Sequence, residues 1–132
     1  MIGDITSRLG PTRDAALGLH RALLAAERRA WESLNGRVAD NAQFLQLVIH
    51  DSWFAWLRPL TALLAAMDEA LAERAPDADL RLRALLGATR DLLRPDEEGD
   101  DFQQRYFEMV QRSPDVALAH GALMRELRRA TG

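Results

Sequence analysis

The sequence predicts an all-α fold, a compact up-and-down bundle of five to six helices, and three observations carry that expectation. Ala and Leu together supply 44 of the 132 residues, with only 8 Gly and 5 Pro, so intrinsic propensity favours helix nearly throughout. Apolar residues recur at three- and four-residue spacing over long stretches, the period of a helix with a buried stripe. Stop and restart signals divide these stretches at Asn35-Gly36, Ala75-Pro76, Pro95 and Ser113-Pro114. A chain of this length forms one domain, residues 1–132, able to bury roughly two-thirds of its unfolded surface.

Residues 1–11 read as a short lead-in with one helical turn around Ile5 to Leu9, and Thr12 as the cap of a first long helix that runs to about Leu34 and stops at Asn35-Gly36. On that helix Leu17, His20, Leu23, Leu24, Glu27, Ala30, Trp31 and Leu34 share one face, and Arg21, Arg28, Arg29 and Glu32 lie opposite. Asp40 or Asn41 caps the next helix. Its residues Phe44, Leu45, Leu47, Val48 and Ile49 cover most of the circumference, as expected of a central helix contacted on several sides.

Pro59 either starts a helix or kinks one. No Gly, Asn or Asp adjoins it to reverse the chain, and Leu60, Leu64, Met67 and Leu71 keep the angular phase of Trp53, Trp56 and Leu57. A continuous central helix over about residues 41–74, kinked at Pro59 and ended by Ala75-Pro76, is therefore expected. A shorter helix from Asp77 or Asp79 to about Leu93 follows, with Leu82, Leu85 and Leu86 inward. Residues 95–101 form an acidic loop whose last residues cap a helix through Phe102, Tyr106 and Met109. Ser113-Pro114-Asp115 starts the last helix, which presents Val116, His120, Leu123 and Leu127.

Composition removes several function classes. There is no cysteine, hence no disulfide, thiolate nucleophile or iron–sulfur ligand. All 17 basic residues are Arg, which removes Schiff-base chemistry and the P-loop lysine. The net charge of −3, with arginines interspersed among acids, argues against a nucleic-acid partner. No apolar run approaches about 18 residues and no basic-then-apolar leader opens the chain, so no membrane partner is expected and a cytoplasmic location is the default.

The histidines are the candidate chemistry, since His20, His50 and His120 all fall on apolar faces of different helices, and Glu27 lies two turns beyond His20. A buried carboxylate needs a partner or a proton, so an internal polar cluster of His20, Glu27, His50, Asp51, Arg58 and His120 is expected. Imidazole with carboxylate suits a transition metal, with His20, Glu27, His50 and His120 as ligands. The pattern is incomplete, because position 47, where a Glu-x-x-His motif needs its Glu, is Leu. No cofactor is required by the sequence, and structural polar packing is favoured over a metal site. Arg58 can alternatively cap carbonyls freed by Pro59.

Trp53, Phe54, Trp56 and Leu57 fit within an arc of about 160°. They are expected either to fill the core or to leave an apolar patch for a protein partner or a second copy, and a kink at Pro59 would open a ligand pocket lined by Trp53 and Trp56. No G-x-S-x-G, P-loop, dinucleotide or His-Glu-x-x-His pattern occurs, which points away from an enzyme. The expected role is non-enzymatic protein contact, as a homodimer or with another protein, with a metal-binding bundle as the alternative.

The segment Phe54-Ala55-Trp56-Leu57-Arg58-Pro59-Leu60, with Leu19-His20-Arg21-Ala22-Leu23-Leu24 and Glu27 before it and Pro114 to His120 after it, resembles a group of small bacterial all-helical proteins without an assigned activity. The resemblance spans most of the chain and implies a helical bundle in a bacterial cytosol. It carries no catalytic or binding residue.

Overall fold

The computed structural model describes residues 3–73 and 77–131, with side chains from Thr6 onward. Its elements are α1 (Gly3–Asn35), α2 (Asn41–His50), a 3₁₀ helix (Ser52–Leu57), α3 (Arg58–Ala72), α4 (Ala78–Leu92), α5 (Asp101–Arg112) and α6 (Pro114–Thr131). The described residues contain no strand, and none of their helices is long and apolar enough to cross a membrane.

The spine of the bundle is α1 against α6, its most extensive helix–helix contact. Leu9, Thr12, Ala16, Leu19 and Leu23 of α1 repeat at alternating steps of three and four, and all five are fully buried. That spacing keeps one narrow stripe against a neighbour. Each fully buried leucine contributes about 1.5–3 kcal/mol. Val116, Leu123, Leu127 and Ala130 supply the facing stripe of α6. The two run antiparallel, because Arg8 near the start of α1 donates from Nε at 2.8 Å, and also from Nη2, to the carbonyl of Ala130 at the end of α6.

This contact corrects the reading of residues 1–11 as a lead-in. The first helix already runs from Gly3, with Pro11 inside it and Thr12 in its interior rather than at its cap. An interior proline removes one donor and costs about 3 kcal/mol or more. Burial of Leu9 and Thr12 on either side of the exposed Pro11, together with the Arg8 clamp, offsets that cost. Thr12 satisfies its buried hydroxyl by donating to the Arg8 carbonyl at 3.2 Å.

The end of α1 follows expectation. Gly36 adopts φ +88° and donates its N–H to the Glu32 carbonyl at 2.9 Å, a left-handed C-terminal stop that favours glycine. Asp40 then caps α2 by accepting the Gln43 N–H at 2.9 Å.

The central helix over residues 41–74 does not form as one rod. It breaks at Asp51, which is extended at φ −82°, ψ 133°, eight residues before Pro59. The Asp51 carboxylate accepts the Trp53 N–H at 2.8 Å, a local turn that competes with helix propagation. Pro59 sits at the start of α3 rather than at a kink. A straight helix of that length would run roughly 50 Å. Breaking it lets α3 fold back along α1, and Arg13–Asp68, His20–Thr61 and Glu27–Trp56 mark their antiparallel register. The expected terminator Ala75-Pro76 lies outside the described residues.

The displaced piece is α2. It has no buried residue and packs chiefly against the 3₁₀ helix, so it is a peripheral helix and not the central element expected. Two aromatic contacts tether it: Phe44 meets Phe54 edge-on at 5.7 Å, and the Arg28 guanidinium lies 4.8 Å from the Phe44 ring centre.

The second half keeps its expected boundaries. α4 buries Leu82, Leu86 and Thr89. After the acidic loop, Asp100 and Gln103 form a reciprocal capping box at the start of α5. The Ser113 hydroxyl accepts the Val116 N–H at 3.3 Å where α6 begins.

Candidate functional site

The expected internal polar cluster resolves into separate pairs. His20 Nε2 lies 3.1 Å from the Thr61 hydroxyl, which itself donates to the Leu57 carbonyl at 3.3 Å. The Thr61 oxygen therefore accepts, and the His20 ring proton is on Nε2. Burial lowers the His20 pKa from 6.5, which favours this neutral form.

His120 is paired with a residue that the apolar pattern alone did not distinguish. Its Nδ1 lies 2.6 Å from the hydroxyl of Tyr106, a fully buried side chain. Burial raises the Tyr106 pKa and lowers that of His120. Both groups are then neutral, so the phenol donates to Nδ1 and the His120 proton resides on Nε2.

Glu27 is half-buried, and its carboxylate accepts the Trp56 indole N–H at 2.9 Å, which supplies the partner that burial requires. From Trp56 the aromatic rings continue through Phe102 at 5.3 Å and Tyr106 at 5.9 Å to His120 at 5.5 Å. This row joins α1, the 3₁₀ helix, α5 and α6 through the interior.

Two members of the expected cluster are not inside at all. His50 is exposed on the last turn of α2, and Arg58 is exposed, donating to the Ile49 carbonyl at 3.3 Å. His50 is outside because α2 as a whole buries no residue, and Arg58 follows its alternative reading as a carbonyl cap, at the end of α2 rather than beside Pro59. Asp51 is half-buried and serves as the turn residue described above. Among the described residues, no three of His, Cys, Asp and Glu gather in metal-ligand geometry, so His20, Glu27, His50 and His120 do not form one group.

The aromatic segment also divides. Phe54, Trp56 and Leu57 are buried at 1, 9 and 2 % exposure, so they are core residues and present no outer patch. Trp53 is half-buried, and its indole N–H is enclosed without an acceptor. An enclosed donor left unsatisfied costs about 1–3 kcal/mol.

Trp53 and Trp56 line an open cleft of about 210 Å³. The 3₁₀ repeat of three residues eclipses these two rings on one side of the short helix. Across from them, Arg105, Glu108, Met109 and Arg112 of α5 stand at steps of three and four, and Glu27 of α1 closes the end. The pocket lined by the tryptophans thus lies between the 3₁₀ helix, which sets both rings on one side, and α5, and does not come from a bend at Pro59. The α5 residues were passed over in the sequence because attention to the apolar stripe of Phe102 and Tyr106 leaves the neighbouring face reading as solvent.

A second open cavity, of about 330 Å³, lies along α2 and is lined by Gln43, Gln46, Leu47, His50 and Asp51. Beside it, Leu45 and Ile49 are 57 and 49 % exposed. Comparison with protein-family models, curated proteins and solved structures found no match to this chain.

Proposed function

We propose that the chain acts by protein–protein contact, with no catalysis of its own, and that α2 is the contact element through which two copies pair. The observation that carries this reading is an apolar helix left outside the core. Phe44, Leu45, Leu47, Val48 and Ile49 fill half of α2, none of them is buried, and Leu45 and Ile49 are open to water. Contiguous exposed apolar surface of this kind is uncommon on a protein that functions alone.

Charge favours a second copy as the partner. Residues Asn41–His50 include no Arg, Asp or Glu, although 28 % of the chain is charged. Two such helices meet across a two-fold axis without repulsion, and Gln43 and Gln46 supply amides that pair with their own copies. A ten-residue helix is only about 15 Å long. An interface of that reach falls at the small end of the range for specific association and suits reversible pairing at roughly micromolar concentration.

Sedimentation velocity across about 1 μM to 1 mM tests the reading, the range bracketing micromolar affinity. The expected outcome is a dimer fraction that rises with concentration and is abolished by Leu45→Glu with Ile49→Glu, while circular dichroism stays unchanged because both side chains are exposed. A monomer at every concentration, or a double variant that dimerises as well as the parent, overturns it.

A further inference from the structure

The geometry points to a second site, independent of α2: the cleft between the 3₁₀ helix and α5 binds a free α-amino acid with an apolar side chain. Its walls divide by chemistry. Trp53, Trp56 and Met109 supply the apolar surface, while Arg105, Glu108 and Arg112 along α5 and Glu27 of α1 add two cations and two carboxylates to its lining. A site balanced in this way suits a zwitterion better than a simple anion or cation.

The charged groups are not consumed by one another. Glu108 and Arg112 stand four apart on α5 in the orientation that favours an ion pair, yet neither joins an ion pair with any described residue. Arg105 reaches only Asp101, at 3.4 Å, and both side chains of that pair are largely exposed. A ligand carboxylate provides an acceptor for Arg112 and Arg105. A ligand ammonium provides a donor for Glu108 and for the outer oxygen of Glu27, whose Oε2 already accepts from Trp56.

Size limits the ligand further. The cleft, of about 210 Å³, has room for a single free amino acid. The tryptophan rings on one side and Met109 on the other select an aliphatic or thioether side chain over a polar one.

The test uses the full chain and L-leucine and L-methionine as probes, followed by calorimetry and tryptophan emission. Saturable binding is expected for both. N-acetyl-leucine, which lacks the ammonium, and leucinamide, which lacks the carboxylate, should each bind at least about tenfold more weakly, and glycine should not bind. Arg112→Gln should weaken leucine while leaving leucinamide unaffected, and Glu108→Gln should weaken leucine while leaving N-acetyl-leucine unaffected. Both residues are exposed, so neither change threatens the fold. The inference is overturned by an absence of heat and emission change up to roughly 10 mM. Equal binding of leucine and its two blocked forms overturns it as well, as does parental affinity in both variants. The dimerisation of α2 is read separately and neither supports nor removes this site.

Discussion

Helices α2 and α6 invert the usual relation between apolar content and burial. Half of α2 consists of large apolar residues and nothing in it is buried, whereas α6 carries Arg125, Arg128 and Arg129 and still buries Val116, Leu123, Leu127 and Ala130. The difference lies in spacing. The buried residues of α6 step by seven, four and three, which keeps them in one stripe facing the α1 stripe. The apolar residues of α2 at 44, 45, 47, 48 and 49 spread over an arc of about 200° at 100° per residue, too wide for one neighbour to cover. Burial follows register with a partner, and apolar composition by itself only leaves a surface looking for one.

The comparison is most exposed to a pair of truncations. Leu19→Ala on α1, facing the interior, should lower unfolding free energy by about 2–5 kcal/mol, and Ile49→Ala on α2 should stay within about 0.5 kcal/mol when measured by urea unfolding of the dilute protein. Similar costs for both would mean that α2 is integral to the core. Next in size is Glu27→Ala, which leaves the buried Trp56 indole N–H without its acceptor. A loss of about 1–3 kcal/mol is expected in the same assay. No loss would show that the core tolerates the donor unpaired.

The two carboxylate caps sharpen the contrast further, since Asp40 and Asp100 each accept an N–H at 2.9 Å in equivalent positions of α2 and α5. Replacing either by Ala removes about 1 kcal/mol of helix stability. For Asp100→Ala that loss should appear in global unfolding, because α5 carries buried Phe102 and Tyr106. For Asp40→Ala it should appear only as faster amide exchange within α2, with the global transition unmoved. A global shift from Asp40→Ala would join α2 to the cooperative unit.

The smallest expected effect is on pH. Burial depresses the pKa values of His20 and His120 below 6.5, so the unfolded chain binds protons more readily than the folded one in mildly acidic solution. Their contribution to stability is complete above about pH 6.5 and declines as pH falls from there through the folded-state values. His120→Gln should flatten the melting-temperature profile between about pH 7 and 5. A profile indifferent to His120 would remove the protonation argument for the Tyr106 pair.

The parts of the candidate sites that were legible in the sequence are those with a local signature. Glu27 was recognisable as needing a partner because it shares a face with His20 and leucines, and Trp53 and Trp56 were named as pocket walls through a kink at Pro59 that does not form. Their partners were not. The Trp56 indole is 29 residues from Glu27, and the Tyr106 hydroxyl reaches a histidine 14 residues further on, across a helix restart. His50 lies outside because the whole of α2 stays off the core, and Arg58 because it turns to the Ile49 carbonyl, neither of which a local pattern encodes.

What the sequence alone determined is the helical class and most of the helix ends: the stop at Gly36, a cap at Asp40 or Asn41, a cap within the last residues of the acidic loop, and the restart at Ser113-Pro114. These depend on hydrogen bonds and steric preferences within a few residues, which local chemistry dictates. Tertiary structure decided that α1 continues through Pro11, that the chain breaks at Asp51 instead of bending at Pro59, and that the most apolar helix remains outside. In each case two local outcomes lay within a few kcal/mol of each other, and burial of distant stripes against one another selected between them.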